Sequence, residues 1–145
     1  MATQTIAGIL ERIETVLQDP PCLLKPSANP FTETTTPNID INETYRVQAA
    51  GVLSDTDVGN FLSARRERVI VTLYQRMDFD GYQAQRDLQD LLNTVERAII
   101  ADGPDHSYMA FLEKGSGKVT RPKDTDLCEA PLSFIVDYDY DQSND

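Results

Sequence analysis

The sequence has no tryptophan, one histidine and only two cysteines. Each scarcity removes a kind of chemistry. Cys22 and Cys128 are too few for a disulfide framework, and neither belongs to a Cys-x-x-Cys pair. They read as small, partly buried thiols. With His106 as the only imidazole, a clustered zinc site lacks its ligands. No serine or cysteine stands in the glycine elbow that a hydrolase uses. No apolar run approaches the roughly 18–20 residues of a membrane-spanning helix. Residues 1–9 lack a basic stretch followed by a continuous apolar one, so a secretion signal is not expected. The chain is expected to be made and used inside a cell.

Positive charge is also scarce. Lysine and arginine number 13 against 24 acids, a net charge of -11. Affinity for nucleic acid depends on cations that neutralise phosphates. Broad nucleic-acid binding is therefore not expected, and the acidic surface favours solubility. What basic charge exists gathers in one segment, at Arg65, Arg66, Arg68 and Arg76.

At 145 residues, 40% of them hydrophobic, the chain suits one domain with one core. Ile6, Ile9, Leu10, Ile13, Val16 and Leu17 recur at helical spacing, with Thr3 or Thr5 placed to cap the helix. Asp19-Pro20-Pro21 ends it. Residues 19–42 read as a long irregular loop rich in proline, serine and threonine, with a short strand suggested at 37–41 and Phe31 as an isolated aromatic. Residues 43–53 alternate as a strand, broken by Ser54-Asp55-Thr56-Asp57. Residues 58–65 are ambiguous. Residues 68–77 form a second strand with apolar groups on both sides, which suggests a central strand or one face at a subunit contact. After Asp78-Phe79-Asp80-Gly81, residues 82–101 carry Leu88, Leu91, Leu92, Val95, Ala98 and Ile99 at helical spacing. Gly103-Pro104 stops that helix. A third strand covers 107–113. The last, 132–140, alternates strictly, and residues 141–145 form a frayed polar tail. The expected fold is α+β: a mixed or antiparallel sheet of about four strands with two helices on one face, in the order helix, strands, helix, strands.

Several segments imitate known sites. Gly115-Ser116-Gly117-Lys118 resembles a phosphate loop, but that pattern needs glycine where Leu112 stands and serine or threonine where Val119 stands. A turn explains it better. Asp137, Asp139 and Asp141 share one strand face, yet the glycine and closing glutamate of a calcium loop are missing. Asp78 and Asp80 read as caps for the following helix. No catalytic, cofactor-binding or metal residue is proposed. The chain is expected not to be an enzyme and to need no cofactor. Arg65, Arg66 and Arg68, with Phe31, are instead candidate subunit-interface residues, since arginine pairs with carboxylates in a forked geometry and another copy offers many.

The N-terminal helix over 6–17, the polar loop, the block RRERVIVTLYQRMDFDGYQAQRDLQDLLNTVERAII over 65–100 and the closing strand PLSFIVDYDYD carry a resemblance that covers most of the chain. The sequence resembles the tail terminator, or tail completion, proteins of long-tailed bacteriophages and related gene-transfer particles. The resemblance implies a non-catalytic protein of the virion, made in the host cytoplasm. It implies a hexameric ring that caps the tail tube and joins it to the neck or head connector, with DNA passing through unbound. Phe31 would then anchor the loop on a neighbouring subunit. The alternatives are another head–tail connector, a tail tube subunit, or a small ligand-binding α+β domain.

Overall fold

The computed structural model describes residues 2–26, 44–76, 81–120 and 127–144. Helix α1 spans Ile6–Gln18. Thr5 is its cap: its Oγ1 accepts from the Gly8 N–H at 3.0 Å, which satisfies a donor that the first turn leaves open. Ile9, Ile13 and Leu17, one turn apart, are fully buried. The chain then forms the two-residue strand β1 (Lys25–Pro26), the long strands β2 (Thr44–Gly59) and β3 (Leu62–Arg76), helix α2 (Gly81–Asp102), β4 (Met109–Leu112) and β5 (Leu127–Asp141).

The fold is α+β, with two helices and a five-stranded mixed sheet in the order β1-β2-β3-β5-β4. β1 runs parallel to the start of β2, and the other three pairings are antiparallel. The fifth strand, β1, is too short to leave a periodic trace, which is why the sequence suggests about four. It lies where the sequence reads as irregular, with Cys22 and Leu24 buried just before it. The strand suggested at 37–41, the aspartates 78 and 80, and Phe31 lie outside the described residues.

Alternation along the sheet builds the core. Val69, Val71 and Leu73 of β3 and Ala130, Leu132, Phe134, Val136 and Tyr138 of β5 point to one face. There they meet Ile9, Ile13 and Leu17 of α1 and Leu88, Leu92, Val95 and Ile99 of α2. β3 lies between β2 and β5, as its two-sided apolar pattern suggests.

The long strands depart from the sequence reading. β2 does not break at residues 54–57, and β3 begins at Leu62 rather than near residue 68. Acidic residues stay in the strand because the opposite strand answers them. Asp55 pairs with Arg65 across the ladder, with Arg65 Nε 3.2 Å from its Oδ2. Asp57 Oδ1 accepts from the Gly59 N–H at 2.9 Å. β2 accommodates the extra residues with register shifts at Ala49/Val52, Val52/Ser54 and Asp57/Gly59. β5 likewise starts at Leu127 and runs to Asp141. The polar end that reads as frayed begins with a short 3-10 turn over Gln142–Asn144, whose Gln142 N–H donates to the Phe61 carbonyl at 2.7 Å.

A polar node fastens the helices to the β4 end of the sheet. The Asp102 carboxylate receives Arg12 Nη2 at 2.7 Å, Arg12 Nε at 3.2 Å and the Tyr108 hydroxyl at 3.1 Å. His106 Nδ1 lies 3.0 Å from the Asp102 carbonyl, which can only accept, so that nitrogen carries the proton. Gln4 Nε2 donates to the His106 carbonyl at 2.9 Å. Burial and the neighbouring Asp102 raise the Tyr108 phenol above its ordinary range. Gly103 permits the close approach, since a Cβ there would sit 2.6 Å from the Tyr108 carbonyl oxygen. Asp102→Ala removes the carboxylate that Arg12 grips and leaves the buried phenol only the Ile99 carbonyl, 3.3 Å away. It is expected to cost about 1–3 kcal/mol, read as a shift in the denaturant midpoint at constant slope.

Candidate functional site

The arginines singled out by the sequence do not form one patch. Consecutive strand residues point to opposite faces. Arg65 therefore lies on the helix-covered side, where its guanidinium stacks 3.9 Å from the centre of the Tyr140 ring. Arg66 lies on the other side and grips Asp137 in a fork, Nε to Oδ1 at 2.7 Å and Nη2 to Oδ2 at 2.9 Å. Arg68 holds Glu113, with Nη2 3.2 Å from Oε2, and Ser133 Oγ donates to the same carboxylate. All three arginines thus find their acids within the subunit. Asp137 and Asp141 are engaged in the same way, by Arg66 and by Ser143.

The polar groups under the hairpin are also paired. Glu67, buried on the core face, accepts the Tyr138 hydroxyl at 2.6 Å. Burial, then this bond, push the Tyr138 phenol up to about 12. Cys22 and Cys128 are buried thiols outside any disulfide, and burial raises that of Cys22. Gly115 and Gly117 take positive φ in the turn after β4, and the Gly117 N–H donates to the Pro131 carbonyl at 2.8 Å. The segment from 115 to 118 is therefore strand-edge turn, with no helix N-terminus behind it. Among the described residues no group of three or more His, Cys, Asp and Glu could hold a metal ion. No helix of the described residues is long and apolar enough to cross a membrane.

The unusual surface is the β2–β3 hairpin. Every β2 residue from 49 to 59 is exposed. Val58 and Phe61 at the turn keep 58% and 70% of their surface open, and Val52 and Leu53, further along β2, keep 53% and 42%, so apolar side chains face solvent along this hairpin. The turn itself is strained. Gly59 pairs with Leu62, which leaves Asn60-Phe61 as a two-residue loop with φ of 55° and 63°. Tight hairpin loops of this sort favour Asn-Gly, because both central residues take the left-handed conformation. Asparagine tolerates it; a bulky phenylalanine sits there at a cost of roughly 1–2 kcal/mol. Strain of this kind at an exposed aromatic makes the Asn60-Phe61 tip the candidate site of this surface. Sequence reasoning missed this site. Its trace was the apolar pair Val58 and Phe61 flanking Gly59-Asn60, inside a stretch that periodicity alone leaves ambiguous.

Comparison with protein-family models and with curated proteins finds no match to this chain.

The fork from Arg68 and the bond from Ser133 lower the Glu113 carboxyl below the usual range. A carboxyl lowered in the folded state adds stability above its ordinary value and loses it as pH falls through the lowered one. Arg68→Gln should therefore lower the neutral plateau of the melting temperature slightly and flatten its acid limb, the two profiles meeting at low pH. An acid limb as steep as that of the parent would show that this pair does not link folding to pH.

Proposed function

We propose that this protein is a ring-forming structural component of a phage tail or related particle, a tail terminator that caps the tail tube and meets the neck. The exposed, strained hairpin tip is the observation that carries the reading. A monomer gains nothing from an aromatic at Phe61, whereas an assembling subunit gains an anchor for a neighbour. The exposed run of β2 from Ala49 to Gly59 supports the same reading, since among the described residues no strand pairs with its outer side. The sequence resemblance supplies the particle: a hexamer on the tail tube, joined to a head connector, with DNA crossing an acidic conduit. The net charge of -11 suits a passage to which DNA does not adhere.

The arginine residues contribute differently from the first expectation. Arg66 and Arg68 stiffen the sheet from within, so reversing their charge would act through the fold as well as through any contact. The clean test is at the tip. Native mass spectrometry of the chain, alone and mixed with purified tail tubes, should show a six-membered species in at least one condition. Phe61→Gly should leave the subunit as stable as the parent or slightly more so, because glycine relieves the left-handed strain, while shifting the population towards monomer. A strict monomer in both conditions would refute the reading.

A further inference from the structure

Resting on that reading, we propose that neighbouring copies join by strand addition: the open edge of β4 in one copy receives the open edge of β2 in the next, in antiparallel pairing.

Three observations lead there. First, the sheet ends in two unlike edges. Among the described residues no strand pairs with the outer side of β2 from Ala49 to Gly59, and β4 pairs only with β5. Next to β4, the N-terminal segment already covers the end of β5: Thr3 bridges Asp139, and the Gln4 N–H donates to the Asp139 carbonyl at 2.8 Å. An incoming strand is thereby confined to β4.

Second, the two edges match in charge. Chain-wide, 26% of residues are charged, and solvent-facing edges are normally guarded by charge. Yet β2 reads Ala49, Ala50, Gly51, Val52, Leu53, Ser54, and β4 reads Met109, Ala110, Phe111, Leu112. Neither stretch has a charged side chain. They also lie at one height in the sheet: Met109 is level with Asp137, Arg66 and Ser54, and Leu112 with Phe134, Val69 and Ala49. Met109 and Phe111 are exposed beside this edge, as Val52 and Leu53 are beside the other.

Third, the strand directions agree. β2 and β5 run one way along the sheet, β3 and β4 the other. Copies related by rotation about a ring axis keep their sense along it. A β4 meeting a neighbour's β2 is then antiparallel, the better-bonded arrangement. Because the edges differ, the contact is heterologous, and each copy still offers one edge of each kind. That is the condition for a closed ring.

The test is cysteine pairing in the full chain, where Cys22 and Cys128 are buried. Phe111→Cys is combined in turn with Ala50→Cys, Val52→Cys and Ser54→Cys, and each protein is oxidised both alone and with purified tail tubes. Paired strands bring Cα atoms within disulfide reach. At least one combination should give a covalent ladder of several subunits, while the single variants give none. As a second measure, Leu53→Lys and Phe111→Lys, both at exposed side chains, should each abolish the assembled species and keep the parent's circular dichroism. Disulfide dimers from the single variants would mean like edges pair, and would overturn the proposal. A six-membered species that no combination cross-links, and that both lysine variants still form, would overturn this joint and leave the ring standing. A monomer in every condition would overturn both.

Discussion

β3 is bonded along its length on both sides, to β2 from Leu62 to Tyr74 and to β5 from Leu62 to Arg76. Nearly everything else depends on that double ladder. It fixes which residues of β5 face the helices, because a slip of one residue would send Phe134, Val136 and Tyr138 to the wrong side. It also sets how far the hairpin reaches. β5 supports β3 as far as the turn, so the tip is held by backbone bonds although its side chains lack a core. An exposed strand pair alone in water would be marginal. Braced by a third strand, it presents Val58 and Phe61 on a firm base.

The acidic balance of the chain gains meaning against this frame. Carboxylates are numerous, and several near the sheet are engaged: Asp55 by Arg65, Asp137 by Arg66, Glu113 by Arg68, Asp102 by Arg12 and Tyr108. Arg65, Arg66 and Arg68 thus hold acidic segments against β3. Exposed pairs of this kind contribute little each. Their value lies in permitting a strand as acidic as the end of β2 to stay in register.

Much of the architecture was legible because it rests on local period. The stripe of α1, the long α2 and the alternation of β5 are repeated signals, and each corresponds to an element with the expected buried face. The four residues 54–57 were misleading for a physical reason. Ser-Asp-Thr-Asp has the composition of a turn, and only a partner strand carrying Arg65 turns it into ladder. β1 was invisible for a similar reason, since two residues have no period and pair only because β2 arrives beside them. The arginines were found by composition, but their spacing concealed their separation: neighbours in sequence are opposites on a strand.

From the order of its side chains alone, then, this chain determines its α+β class, its two amphipathic helices and its central strand. These follow from composition and from periods that each element carries within itself. Tertiary structure decided which arginine meets which acid, that Phe61 stands exposed in a left-handed turn, and that β2 and β4 end the sheet as two uncharged edges. Those properties belong to pairs of distant segments. They come into being only when strands far apart in the chain lie 4.7–4.9 Å from one another, the ordinary inter-strand spacing of roughly one hydrogen bond.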